Sequence, residues 1–124
     1  MPAVTLPGVP ESAAVARDFT AKCLAGFPSA DDAVLCVDEL VSNAVQHSRS
    51  GQPGGLVEVR VTLTGGGLLA EVRDDGPLAA AAAPSCDLLA ERGRGLLLVE
   101  ALAAVSGSAG PGVWWFWMPW GAEL

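Results

Sequence analysis

The chain has 124 residues, of which 51% are hydrophobic, so it holds enough apolar material for a single domain with a buried core. Its 14 acidic and 7 basic residues give a formal net charge of -7. That charge opposes the electrostatic attraction on which nucleic-acid-binding proteins rely, so we expect no nucleic-acid partner. A basic protein partner or a magnesium-bound nucleotide fits the charge better.

The cysteines and the N-terminus indicate a cytoplasmic protein. Cys23, Cys36 and Cys86 are widely separated and lack CxxC spacing, so the pattern supports neither a disulfide framework nor a zinc site. Residues 1–10 contain no basic side chain and no long apolar run, so they do not predict a secretory signal. The uncharged stretch 101–122 is broken by glycine and proline, and a membrane span is therefore not expected.

The first half of the chain predicts two helices. Prolines and a glycine punctuate residues 1–10 and indicate an irregular start. An apolar side chain at every fourth position then predicts an amphipathic helix over residues 11–27. A second helix is predicted from Ser29 or Asp31, both common N-cap residues, to about His47.

A β-hairpin is predicted next. Residues 56–64 alternate between apolar and polar side chains, as expected of a half-exposed strand. Glycines at 65–67 indicate a turn, and the alternation resumes over residues 68–73. Asp74 follows the second strand immediately.

The last third of the chain predicts a loop, a helix and a strand. Residues 77–92 are irregular and indicate a long loop or lid, which is usually functional in a compact domain. Residues 96–105 are apolar almost all round and predict a buried helix. Residues 113–120 predict a closing strand.

This closing strand is apolar on both faces. We expect the face with Trp114, Phe116 and Met118 to be the open one, because one face of a two-layer sheet lacks helices. Either the N-terminal segment around Val4 and Leu6 or a second subunit is then expected to cover it, so a homodimer is possible.

Three polar side chains recur one turn apart on the second helix. Glu39, Asn43 and His47 follow i, i+4 spacing and share one side of it. A carboxylate and an amide oxygen one turn apart suit a magnesium ion with a hydroxyl or water beside it. Taken alone, a solvated helix face explains the same pattern, and His47 is more simply a capping or packing residue.

Two glycine-containing segments could contact a ligand. Asp74 and Gly76 can offer a carboxylate to the edge of a base while the glycine permits close approach, although an ordinary Asp-Gly turn has the same sequence. Gly93 and Gly95 precede a predicted helix, whose free N–H groups and positive dipole end suit a phosphate. The spacing matches neither a dinucleotide fingerprint nor a P-loop.

The succession DELVSNAVQH (residues 38–47), DDG (74–76) and GRGL (93–96) resembles the GHKL superfamily, with its Bergerat-type ATP pocket. That superfamily is named for gyrase, a heat-shock chaperone, histidine kinases and a mismatch-repair ATPase. Within it, the pattern is similar to the bacterial anti-sigma-factor serine/threonine kinases. The resemblance implies one histidine-kinase-like ATPase domain over residues 1–124. It also implies an α/β (α+β) two-layer sandwich, with a mixed, mostly antiparallel sheet packed against about three helices.

The resemblance further implies ATP and Mg²⁺ as cofactors and gives residues their roles. Glu39 would be the catalytic base, Asn43 the magnesium ligand, Asp74 the acceptor for the adenine amino group, and Gly76 its close-contact neighbour. Residues 77–92 would form the ATP lid. The remaining nucleotide contacts would come from one run at the lid's end: Arg92, Gly93, Arg94, Gly95 and Leu96.

The function implied is that of an anti-sigma-factor-type serine/threonine-protein kinase that regulates transcription. Its partners would be a sigma factor, an anti-anti-sigma (antagonist) protein, or both. Leu78 stands where the family often has the second glycine of Asp-x-Gly-x-Gly. That departure supports an alternative, a catalytically weak or nucleotide-free regulatory binding module of the same fold. Plain ATP hydrolysis is a third option, which the lack of a separate transducing domain disfavours.

Overall fold

The computed structural model describes residues 2–78 and 98–119. Helix and strand bounds in chain order are β1 (Ala3–Pro7), α1 (Ser12–Cys23), α2 (Ala30–His47), a short 3-10 helix (Arg49–Gly51), β2 (Leu56–Leu63), β3 (Gly67–Arg73), β4 (Val105–Ser108) and β5 (Val113–Pro119). Residues 98–102 are also helical. The strands pair antiparallel in one sheet of order β1-β2-β3-β5-β4, and the helices pack on one face of it. The predicted two-layer α/β sandwich is confirmed.

Helix α2 is the central element of the helical layer. An apolar stripe along it that includes Val37, Leu40 and Ala44 is buried in the core. The predicted helix bounds agree with the structure to within one or two residues, since the periodic apolar stripe and the flanking turns mark both ends. Over residues 2–78 and 98–119, the structure contains no helix with the length and apolarity that crossing a membrane requires.

Helix α1 is shorter than predicted, and small side chains form its most buried side, while Phe19 and Cys23 of the predicted stripe are partly buried against the core. It ends at Cys23, and Leu24 beyond it is fully buried. The buried side of the helix includes Ala16 and Thr20, whereas Val15 is 50% exposed. The Thr20 hydroxyl donates to the carbonyl of Ala16 at 2.8 Å, so its burial leaves no unpaired polar atom. Small side chains let α1 approach its neighbours closely, which the spacing of the large apolar residues did not indicate.

Two strands were not predicted. β1 pairs with β2 through Leu6 and Val57, and its terminal Pro7 is compatible with a strand at the sheet edge. β4 begins at Val105, so the helix predicted to reach that residue ends earlier, and its described part covers only 98–102. The Ser-Gly-Ser of β4 has low β-propensity, and pairing with β5 places it in the sheet.

The prediction for the two faces of β5 is wrong. Phe116 and Met118 are 0% and 2% exposed in the core, on the helix-covered face, and Trp114 packs against that core. The open face instead carries Trp115 and Trp117, both half-buried. The register with β3 decides which alternate residues of β5 face the helices. The core residues of β5 lie opposite the fully buried side chains of β3, namely Leu68, Ala70 and Val72.

The prediction that the segment around Val4 and Leu6 covers β5 is also wrong. This segment forms β1, at the edge of the sheet beyond β2, and Leu6 is buried in the core. Its apolar side chains pack on the helix-covered face of the sheet, away from the open face of β5.

Candidate functional site

One flank of α2 carries the carboxylate and the amide that were predicted to bind magnesium and act in catalysis. Because Leu40 and Ala44 face the sheet, the 100° step of an α-helix places Glu39 and Asn43 together beside that buried stripe. Both side chains are half-buried, and within the described residues neither makes a hydrogen bond. A carboxylate and an amide are thus held side by side on a rigid helix, with their polar atoms available to a ligand.

This flank is electrically negative. Cys36, one turn before Glu39, is 0% exposed. Burial, together with the smaller effect of the charges of Asp32 and Glu39, raises the pKa of its thiol from 9.0 to about 12. The thiol therefore stays protonated at neutral pH and is not a nucleophile. An anionic ligand would reach this flank most easily together with a cation.

Asp74 lies where β3 has just ended, in a pocket of about 220 Å³. Its Oδ1 accepts a hydrogen bond from the backbone N–H of Gly76 at 2.7 Å. Its Oδ2 is buried and has no hydrogen-bond partner in the described structure. A buried carboxylate oxygen without a donor is costly, so this atom is best explained as an acceptor kept for a ligand N–H or O–H group.

Two glycines let the chain close around this carboxylate. Gly76 and Gly112 have φ values of +92° and +78°, which disfavour residues with a Cβ. A Cβ on Gly112 would lie 2.8 Å from Asp74 Oδ1, and the Gly112 carbonyl accepts the Asp74 N–H at 2.8 Å. Gly112 was not predicted as a site residue, since its only sequence signal was the turn it forms with Gly110 and Pro111.

The neighbouring Asp75 has a structural role. Its Oδ2 accepts the backbone N–H of Leu56 at 2.9 Å, and its own N–H donates to the hydroxyl of Ser50 at 2.8 Å. The Arg49 side chain donates twice to its carbonyl oxygen. Asp75 is thus engaged with the segment after α2, and Asp74 is the residue whose free oxygen is presented to the pocket.

A second cavity of about 250 Å³ adjoins this pocket. The two share Ser108 and Trp114 as lining residues, and the second extends to Leu40 of α2 and to Val99. We call the two together the groove. The groove leads from the carboxylate of Asp74, past Trp114, to the side of α2 that carries Leu40.

Part of the predicted site lies outside the described residues. This applies to lid residues 79–92 and to the predicted phosphate contacts Arg92, Gly93, Arg94, Gly95 and Leu96. At the start of the lid, Pro77 forms a β-bridge with Ser48. His47 is only 7% exposed, at the last position of α2.

The described residues fit ATP with Mg²⁺. A purine amino group would find the free oxygen of Asp74, with Gly76 and Gly112 allowing a close approach. The amide oxygen of Asn43 is a ligand type that magnesium accepts, and a cation would offset the negative flank beside it.

A profile of the histidine kinase-like ATPase domain family matches residues 6–112. This stretch contains α2, Asp74 and Gly112, and it leaves out residues 1–5 and the C-terminal residues from β5 onward. No curated protein sequence matches the chain significantly. With the profile covering most of its length, the chain belongs to the histidine kinase-like ATPase domain family, of the ATP-binding GHKL superfamily.

Proposed function

We propose that this protein is an ATP-dependent serine/threonine-protein kinase of the anti-sigma-factor type. The observation that carries the proposal is the buried, unpaired Oδ2 of Asp74 at the end of a groove that extends to α2. An acceptor so placed selects a base with an exocyclic amino group, which adenine has and hypoxanthine lacks.

The α2 flank would hold the phosphate end of the nucleotide. Asn43 would bind Mg²⁺, and the cation would reduce the repulsion between the triphosphate and the negative charges of Asp32 and Glu39. Phosphoryl transfer depends mainly on positioning and charge neutralisation. The few groups in this short chain can therefore suffice.

Glu39 would act on the acceptor protein. Its carboxylate, free of hydrogen bonds within the described residues, would take the proton of a serine or threonine hydroxyl as that oxygen bonds to phosphorus. Bound Mg-ATP would supply the phosphoryl group and depart as ADP. The negative charge of the chain supports a basic protein surface as partner, and we propose a cytoplasmic sigma factor and an antagonist protein in these roles.

A magnesium-ATP titration by calorimetry tests the pocket. Asp74→Asn should weaken ATP binding about tenfold or more, because a charged acceptor is lost. Asp75→Asn is the matched control, since it makes the same change of charge in the next residue, which is engaged with Leu56 and Ser50. Equal losses in the two variants would contradict the role of Asp74.

A phosphorylation assay tests the kinase. Protein that binds ATP should transfer labelled γ-phosphate to a serine or threonine of an antagonist protein encoded beside it. Binding without transfer to any such protein would reject kinase activity and leave an ATP-binding domain.

The second candidate is a regulatory module that acts through protein contacts without nucleotide. Leu78 favours it, because a Cβ-bearing side chain at that position restricts the backbone of the lid. An absence of binding at millimolar ATP would support this candidate over the kinase.

A further inference from the structure

Arg49 lies beside the loop that follows Asp74, outside the lining of the groove. It begins the 3-10 helix just after α2 and is exposed. Its Nε and Nη2 donate to the carbonyl oxygen of Asp75 at 2.9 and 2.5 Å. Its backbone N–H donates to the carbonyl oxygen of Gly76 at 2.9 Å. One residue therefore holds two successive carbonyl groups of the loop that follows Asp74.

These contacts act on the peptide unit that orients Asp74. The Asp75 carbonyl held by Arg49 and the Gly76 N–H that binds Asp74 Oδ1 belong to the same peptide group. That group is planar and trans, so its C=O and N–H point in opposite directions. Fixing the carbonyl toward the guanidinium thus aims the N–H at Oδ1 and leaves Oδ2 for the pocket.

We propose that Arg49 is a positioning residue for base recognition. It sets the peptide plane between Asp75 and Gly76 so that Asp74 presents one oxygen to the exocyclic amino group of a purine. This inference rests on the proposed ATP binding and adds a residue that touches no ligand. It also links the carboxylate to α2, because Arg49 follows that helix directly.

The loop has other attachments that do not set this peptide plane. Ser50 accepts the Asp75 N–H, Leu56 donates to the Asp75 side chain, and Ser48 pairs with Pro77. We therefore expect the loop to stay folded without the guanidinium. The Asp75 carbonyl would lose both of its side-chain donors, so the Asp75–Gly76 peptide would be held only by its neighbours and Asp74 would be less firmly oriented.

The test compares ATP with inosine triphosphate, which carries a carbonyl oxygen in place of the amino group. Wild-type protein should prefer ATP, because the carbonyl oxygen would face the Asp74 acceptor. Arg49→Met should weaken ATP binding about tenfold and leave inosine triphosphate binding almost unchanged, so that the preference is largely lost. A change of charge alone would affect both triphosphates equally and would not alter their ratio.

Two further variants complete the experiment. Arg49→Lys keeps a cationic donor but loses the paired N–H groups of the guanidinium. It should therefore retain more of the preference for ATP than Arg49→Met does. Arg73→Met makes the same substitution on β3, where Arg73 forms ion pairs with Glu58 and Glu71, and should leave the ratio unchanged. Thermal unfolding confirms that each variant is folded. If Arg49→Met does not fold, the ratio in Arg49→Lys decides.

The outcomes separate this inference from the proposed function. Wild-type binding with an Asp74-dependent preference that survives in the Arg49 variants would overturn the role of Arg49 and leave ATP binding intact. No ATP binding by wild-type protein would reject both.

Discussion

The two ends of the groove are built differently. Around Asp74, N–H groups of Gly76 and Arg49 donate hydrogen bonds and the Gly112 carbonyl accepts one, and these bonds set the backbone before any ligand arrives. On the α2 flank, Glu39 and Asn43 are held only by their helix and make no side-chain hydrogen bonds within the described residues. The end that we propose to recognise the base is thus preorganised, whereas the polar groups proposed for catalysis on α2 are not fixed by hydrogen bonds before ligands bind.

The difference predicts that substitutions at the two ends change different measured quantities. Changes near Asp74 should lower nucleotide affinity and also stability, because they disturb fixed contacts. Replacing Glu39 on the α2 flank should lower the transfer rate and leave the fold intact, because its side chain makes no hydrogen bond within the described residues.

The largest expected effect is on catalysis. Glu39→Gln should lower the rate of phosphoryl transfer by roughly 10²- to 10⁴-fold, the range for loss of a general base. ATP affinity and melting temperature should stay near wild type. Asp38→Asn is the matched control on the same helix, where Asp38 instead pairs with Arg17 of α1 at 2.8 Å. A parallel loss of ATP affinity in Glu39→Gln would erase the contrast between the two ends.

A smaller effect, on affinity, is expected from Gly112→Ala. Its Cβ would lie 2.8 Å from Asp74 Oδ1, so the carboxylate must move, and ATP affinity should fall by about tenfold or more. Gly54→Ala is the control, because its φ of +82° is nearly the same but no atom lies within 4 Å of the added Cβ. Both variants should lose about 1–3 kcal/mol of stability from backbone strain. Equal ATP affinity in the two would show that the contact with Asp74 is unimportant.

The smallest effect concerns the charge of the α2 flank. Because the pKa of Cys36 is raised from 9.0 to about 12 on folding, unfolded protein loses this proton first as the pH rises. The contribution of Cys36 to stability is therefore constant below pH 9 and falls between pH 9 and 12. Between pH 8 and 10, wild-type protein should lose about 1 kcal/mol more than Cys36→Ala in urea unfolding.

The same titration sharpens the comparison of the two ends. In Glu39→Gln the pKa of Cys36 should be lower than in wild type, because one of the negative charges that raises it is gone. In Asp74→Asn it should not change. The ultraviolet absorbance of the thiolate in a variant that keeps only Cys36, measured against pH, reports this shift without requiring a reagent to reach the buried thiol. An unchanged profile in Glu39→Gln would show that the flank lacks the proposed charge.

Local patterns predicted the fold where periodicity and burial agree. Helix α2 and strands β2 and β3 were placed correctly because one face of each is apolar and turns mark their ends. β1 and β4 were missed because proline, serine and glycine weaken the strand pattern, and pairing across the sheet overrides it. The faces of β5 could not be assigned because both are apolar, and the register with β3 decides between them.

The candidate site divides in the same way. The spacing of Glu39 and Asn43 on one helix placed them side by side, and the strand before Asp74 placed its carboxylate at the groove. Gly112 and Arg49 act through contacts with residues 38 and 26 positions away in the chain. Such contacts depend on the tertiary structure, and no local pattern indicates them.

The alternation of β5 also has an optical consequence. Trp114 lines the groove, while Trp115 and Trp117 lie on the opposite face of the sheet. Because Trp115 also lines the groove, a nucleotide there would change the emission of Trp114 and Trp115, whereas a protein docked on the open face away from the groove would change that of Trp117. With tryptophan-to-phenylalanine variants, one strand of the sheet therefore provides separate fluorescent reporters for ligand binding and for partner binding.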